Sequence, residues 1–295
     1  MNKSVMRAMV RGAYDLQKLR IQSGLRVVAA FKTKIGQMPG HSEDELDEVA
    51  ATILATLREE YERITDAITS DGKVRKVKPS DFNGYKLLSD ASEMSLVREY
   101  LSLLKAEEEQ FKDIGRALKS VTIWTEWLEG VRGCGPAMAG VILSEIDIHK
   151  AKYPSSLHKY AGLDVAPDEN GVMVGRSRKA AHLVDATYID ANGKEATRKS
   201  ITFNPFLKTK LIGVLGSSFL KCGGPYREIY DNYKNRLQNR PDLTEESKGH
   251  IHNMAVRYMI KMFLIDLHRE WRKLEGYEPT LPYHVAKLGL RDHAA

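Results

Sequence analysis

Leu128-Glu129-Gly130-Val131-Arg132-Gly133-Cys134-Gly135-Pro136-Ala137-Met138-Ala139-Gly140-Val141-Ile142-Leu143 is the stretch on which the fold turns. Gly133 and Gly135 permit a tight turn with positive φ, and Pro136 suits the first position of a helix. Ala137, Ala139 and Gly140 let another backbone come close. The segment therefore predicts two helices joined by a glycine turn, the helix-hairpin-helix pattern in outline. Backbone N–H groups at such a turn and helix start can cradle a phosphate, which makes Gly133 and Gly135 a candidate phosphate-binding turn. The same residues also suit a plain connection between packed helices.

Upstream of this turn the chain reads as long helices. Over residues 4–36, Val5, Met9, Ala13, Leu16, Leu19, Val27 and Phe31 recur near helical spacing, with Gly12 and Gly24 as weak points. Ser42 and Glu45 have the spacing of a capping box for the next helix. There Leu46, Val49, Ile53, Leu57, Tyr61, Ile64 and Ile68 step by three or four. Ser70-Asp71-Gly72 breaks that pattern. Met94, Val97, Leu101, Leu104, Phe111 and Leu118 then resume it, so 46–69 and 90–120 read as an antiparallel helical hairpin. Its apolar stripe calls for cover from another hairpin, in the same chain or in a second copy.

Downstream the texture changes to glycine-rich turns and shorter helices. Val172-Met173-Val174 and Thr187-Tyr188-Ile189, running up to Asn192-Gly193, predict a β-ribbon. A closing amphipathic helix runs from about Glu245 to Leu274, and a tail follows. The expected class is thus mainly α: a basic amino-terminal segment (1–40), a coiled-coil hairpin (41–120), a helical domain with a small ribbon (121–285) and a tail (286–295).

With 295 residues, 42% hydrophobic and 28% charged, the chain belongs with globular proteins rather than disordered or fibrous ones. No run approaches the ~20 apolar residues of a bilayer span, and the start lacks the apolar core of a signal peptide, so a cytoplasmic protein is expected. Cys134 and Cys222 are too few for a disulfide framework and form no C-x-x-C pair. No cofactor and no metal are expected. The net charge of +6 conceals strong local blocks. Residues 1–40 carry eight basic groups against Asp15, residues 41–70 carry nine acids against Arg58 and Arg63, and residues 171–211 carry eight basic groups against three acids. Two basic blocks separated by an acidic one suggest a polyanionic partner.

Residues 128–163, ending in Tyr153-Pro154-Ser155-Ser156-Leu157-His158-Lys159-Tyr160-Ala161-Gly162-Leu163, resemble the carboxy-terminal domain of bridge-RNA-guided insertion-sequence transposases and the core of the Nop domain of box C/D ribonucleoproteins. Phe203-Asn204-Pro205-Phe206-Leu207-Lys208, Gly224-Pro225-Tyr226-Arg227 and Gly249-His250-Ile251-His252-Asn253-Met254-Ala255-Val256-Arg257 continue the resemblance over roughly the last 170 residues. Helices and a coiled coil ahead of a Nop-like domain are similar to the order in the Tas proteins, the RNA-guided DNA-targeting partners of tandem interspaced guide RNA arrays. The resemblance implies a homodimer that binds a box C/D-like guide RNA and lets guide pairing choose the target DNA.

Departures from that pattern shape the expectation. Residues 1–120 show no alternation of strands and helices, so the RuvC-like nuclease domain of the transposases is missing and no HNH unit can be placed. Binding without cleavage is expected, and a nuclease recruited in trans stays compatible. The transposases' serine nucleophile has two possible counterparts, Ser177 between Arg176 and Arg178, and Ser200 after Lys199, with no neighbouring base in view. His250 and His252 lie at a helix start, where capping, packing or RNA contact outweighs metal binding. Asp185 and Asp190 read as tuning the charge of a basic ribbon. Tyr226, Tyr230 and Tyr233 interleave with Arg227, Lys234 and Arg236, a pattern that suits core packing or stacking on unpaired bases.

The residues expected to contact RNA or DNA are Lys18, Arg20, Arg26, Arg132, Arg176, Arg178, Lys179, Arg198, Lys199, Lys208, Lys210, Tyr226, Arg227, His250 and Arg257. Two other functions compete: a transposase or recombinase using a serine nucleophile, and an accessory DNA-binding protein using the glycine turn without RNA.

Overall fold

The structure, a computed structural model, describes residues 2–36, 43–70, 72–278 and 280, with the backbone alone for 43–47. The expected Ser42–Glu45 cap and the tail from 286 lie outside these described side chains. The protein is mainly helical, as the periodicity predicts. It forms two compact units, one of residues 8–113 and one joining residues 1–7 to 114–295.

The smaller unit packs three long helices: α1 (Lys3–Phe31) from residue 8 onward, α2 (Glu43–Thr69), and α3 (Ala91–Leu118) as far as residue 113. The stripe predicted for α2 is buried at Ile53, Leu57, Ile64 and Ile68, against Val97 and Tyr100 of α3. Its cover comes from the chain's own first helix, through Val27, Val28 and Phe31. Residues 8–36 of the expected basic segment thus pack with the hairpin, because burying that stripe draws α1 onto it. Gly24 allows the approach: a Cβ there would come within 3.1 Å of the Tyr100 ring.

A buried carboxylate ties down the link between α2 and α3. Glu60 accepts hydrogen bonds from the backbone N–H groups of Lys86 (2.8 Å), Leu87 (3.1 Å) and Leu88 (2.8 Å). These bonds satisfy donors that Leu87 and Leu88 would otherwise bury unpaired, since both side chains enter the core.

The larger unit follows the chain through α4 (Thr122–Glu126), α5 (Pro136–Glu145) and α6 (Pro154–Tyr160). Two ribbons come next, β1 (Val165–Pro167) with β2 (Met173–Gly175), and β3 (Leu183–Ile189) with β4 (Glu195–Ile201). The unit closes with α7 (Pro205–Thr209), a π-helical segment (Lys210–Leu215), α8 (Gly216–Cys222), α9 (Pro225–Gln238) and α10 (Lys248–Leu274). From Met138 to Leu143, α5 is buried on every side, as its uniformly apolar sequence requires, and Ser144 and Glu145 are buried after it. The core also takes Phe263, Leu264 and Leu267 of α10, Phe219 of α8, and Leu207, Leu211 and Leu215.

Two details differ from the sequence reading. Gly133 has φ +94°, but Gly135 is extended at φ −75° and caps α5 ahead of Pro136, so a single left-handed residue makes the turn. The predicted ribbon is two ribbons, because Met173–Gly175 finds its partner upstream in Val165–Pro167. β3 and β4 pair around Asn192-Gly193 as expected, with Asp190 Oδ1 accepting from the N–H groups of Asn192 and Lys194. Among the described residues no helix is long and apolar enough to cross a membrane.

Glu60→Ala strands the N–H groups of Leu87 and Leu88 and is expected to cost about 3 kcal/mol of stability, with Glu60→Gln costing less. Urea denaturation followed by circular dichroism checks this; a midpoint unchanged in Glu60→Ala would show that the clamp is dispensable.

Candidate functional site

Arg257 and Lys261 stand one turn apart on α10, on a helix that buries ten of its 27 residues. Neither has a hydrogen-bond or ion-pair partner among the described residues. Burial lowers the pKa of both, and at Lys261 the neighbouring guanidinium of Arg257 adds to the effect. Arg257 lies flat on the strand end at Gly175, where a Cβ would fall 2.1 Å from its Nη1. Only glycine leaves that berth open.

A third cation comes from the end of α7. Lys208 Nζ donates to the Arg176 carbonyl at 2.6 Å and sits 4.8 Å above the Phe203 ring. Burial, followed by Arg257, pulls its pKa down to about 8. Lys208, Thr209, Ile212, Gly213, Asn253 and Arg257 line an open depression of about 450 Å³. Ile212 and Gly213 belong to the π-helical segment, a widening that recurs at functional sites.

One carboxylate faces these cations. Asp164 raises the pKa of Lys208, Arg257 and Lys261 through space, yet its oxygens are held by Arg176, whose Nε and Nη2 each donate at 2.8 Å. Arg176 also donates from Nη1 to Thr202 Oγ1 at 3.0 Å. Exposed Arg178 adds its field to Lys208. His158, on α6, is bonded to the Lys261 carbonyl at 3.2 Å, and burial pushes its pKa down to about 4, so it is neutral at pH 7. The result is a partly dehydrated, positively charged hollow whose own carboxylate is already engaged.

The expected contact residues divide accordingly. Arg176, Arg178, Lys208 and Arg257 come together here, and Lys179 lies exposed close by in sequence. The β3–β4 ribbon is electrically balanced: Lys199 pairs with Asp185 at 2.9 Å, and Arg198 lies over the Tyr188 ring at 5.0 Å. As neighbours along β4, they point to opposite faces. Lys210 sits 5.7 Å from the Phe206 ring, with its pKa lowered by burial.

Tyr226 is a core residue. It stacks on Phe219 at 4.7 Å, meets Phe263 edge-on and donates to Asp266 at 3.0 Å. Arg227 is engaged by Asp231 and the Leu220 carbonyl. The Gly133 turn is packed under α8, with Phe219 where a Cβ would project and Ser218 Oγ bonded to the Gly133 carbonyl at 2.8 Å. Gly135 and Arg132 are exposed, with Arg132 lying beside Gly224. His250 is exposed at the start of α10, its N–H capped by Ser247. In the smaller unit, Lys18 and Arg26 are exposed and without partners among the described residues, whereas Arg20 is bound to buried Glu107.

Lys261, Asp164 and Gly175 escaped the sequence reading. Arg257 and Lys261 at i and i+4 on a largely apolar helix were the available signal. A further contact also went unseen: Ser177 Oγ lies 3.1 Å from Nδ1 of buried His182, and the Ser177 backbone N–H donates to the same nitrogen at 2.9 Å. Nδ1 is thus the acceptor, so the ring proton sits on Nε2, which has no partner among the described residues. No family model, curated protein or solved structure matches the chain.

Because Arg257 and Lys261 are dehydrated without compensation, replacing them with methionine of similar reach should leave thermal stability unchanged or raise it by a few degrees. Differential scanning calorimetry checks this, and a large drop in Tm for Arg257→Met and Lys261→Met would show that both serve the fold.

Proposed function

We propose that this protein binds a structured guide RNA and is directed by it to DNA, which it holds without cutting. The observation that carries the reading is the pair of half-buried, unpaired cations Arg257 and Lys261 beside Lys208, with Asp164 consumed by Arg176. Dehydrating cations is unfavourable unless an anion completes them. A phosphate backbone supplies closely spaced anions, and such contacts position a nucleic acid without reading its sequence. Base pairing by the guide then chooses the DNA. The resemblance to Tas proteins and to Nop-like domains supports RNA as the first partner and a homodimer as the working form.

Purification from cells followed by sequencing of bound nucleic acid tests the reading directly: discrete small RNAs are expected. Arg257→Met with Lys261→Met should weaken that RNA about tenfold and flatten the salt dependence by about one unit of slope per cation removed. Gly175→Ala should weaken it as well at unchanged net charge, by evicting Arg257. Recovery of no RNA, or affinity indifferent to all three substitutions, would overturn the proposal.

A second reading rests on the Ser177–His182 contact, in which a base lies within reach of a serine hydroxyl flanked by arginines. It makes the chain a recombinase in which Ser177 Oγ gives its proton to His182 Nδ1 and attacks a DNA phosphate. A serine–phosphate ester forms while the P–O bond to one deoxyribose breaks, and that sugar leaves as a free hydroxyl. Incubation with supercoiled DNA would then trap a covalent protein–DNA adduct that disappears in Ser177→Ala; no adduct in the parent protein removes this reading.

A further inference from the structure

The second surface of interest lies on α9 and α10, where Tyr258 directly follows Arg257 of the cationic hollow. Tyr233 and Tyr258 are stacked with ring centroids 3.9 Å apart and planes 8° from parallel. Isolated aromatic pairs in proteins prefer offset or edge-on arrangements at about 4.5–7 Å. The arginine one turn beyond Tyr233 sits beside the pair: the Arg236 guanidinium lies 4.8 Å from the Tyr233 ring centre and 6.0 Å from that of Tyr258. Arg236 is exposed and has no carboxylate partner among the described residues.

Lys234 lies 5.4 Å over the ring of Tyr230, whose hydroxyl is bonded to His252 Nδ1 at 2.6 Å. Nearby acids are already engaged, Asp231 by Arg227 and Asp242 by Arg240. Tyr230 is buried and Tyr226 is bonded to Asp266 and stacked on Phe219, whereas Tyr233 is half-buried with Arg236 exposed beside it.

We infer that Tyr233, Tyr258 and Arg236 form a stacking platform for unpaired nucleobases, distinct from the phosphate-binding hollow. Flat π-faces and an unpaired, planar guanidinium match the chemistry of a base, and the uncompensated charge of Arg236 and Lys234 matches the anionic backbone that carries it. Paired bases offer no free face, so the platform discriminates single strands from duplexes. The inference rests on the reading that the chain binds nucleic acid and names the part of that ligand which this surface takes.

The test uses the full chain freed of nucleic acid, with RNA and DNA single strands of about 12 nucleotides carrying 2-aminopurine, and a duplex of the same length. Tyr233→Leu should lower single-strand affinity about tenfold and abolish the fluorescence change, while duplex affinity stays within twofold. Tyr233→Phe should restore both, and Arg236→Gln should weaken single strands without disturbing the tyrosine pair. Tighter RNA binding assigns the platform to unpaired guide segments, and tighter DNA binding assigns it to an opened target strand.

If Arg257→Met weakens the duplex while Tyr233→Leu and Arg236→Gln leave single strands untouched, the platform falls and the guide-binding reading stands. If none of the oligonucleotides binds the parent protein, both fall. Should Tyr233→Leu lower the melting temperature, Arg236→Gln carries the test, since that side chain is exposed and outside the core.

Discussion

Asp164 is the carboxylate whose field reaches Lys208, Arg257 and Lys261, and Arg176 holds both of its oxygens. Much of the larger unit is arranged around that shortage of negative charge. The β1–β2 hairpin brings Arg176 back onto Asp164 and places Gly175 under Arg257. The end of α7 sends Lys208 across to the Arg176 carbonyl, fixing where the next cation stands. α10 must then present Arg257 and Lys261 from the rim of a helix whose other faces are committed to the core. A fold selected only for stability would have placed a second acid here or replaced the cations with apolar side chains. Their dehydration is a cost in the free protein that an anionic ligand, on the proposed reading, would offset on binding.

Much of the architecture was legible because it follows from a single pattern. Ile53, Leu57, Ile64 and Ile68 recur at helical spacing, and such a stripe cannot stay uncovered in water. What covered it was not legible: α1 could have served another partner, and only the close approach at Gly24 beside Tyr100 shows why it folds back here. The separate ribbons illustrate the same limit. Asn192-Gly193 marks its own hairpin through local turn chemistry, whereas the pairing of Met173 with Pro167 depends on the turn at Gly171, which a search for long alternating runs passes over.

The site divides along a similar line. Counting charge singled out Arg176, Arg178 and Lys208, and the resemblance added Arg257, but counting treats every cation alike. Arg20, Lys199 and Arg227 are spent on Glu107, Asp185 and Asp231, partners that lie from four to 87 positions away in sequence. Lys261 was overlooked because it stands among apolar residues outside either basic block, although its partial burial sets it apart from an exposed residue of a basic run. Tyr226 fails in the opposite direction. Aromatic and basic residues alternate through α9, and the sequence cannot distinguish the tyrosine that faces Phe219 and Phe263 from Tyr233, which faces outward with Arg236.

If both proposals hold, two recognition chemistries on one unit have a consequence that neither has alone. Cations in a partly dehydrated hollow respond to phosphate density and geometry, which any helical nucleic acid provides. Stacked tyrosines respond to free base faces, which a continuous duplex withholds. A ligand with a paired stem beside an unpaired segment satisfies both at once, and the second contact is then intramolecular, so it strengthens binding without a larger interface. Neither surface needs to read a particular base. Selectivity for a folded guide over bulk nucleic acid can therefore arise from the alternation of paired and unpaired regions, leaving the sequence of the unpaired region free to vary with the target.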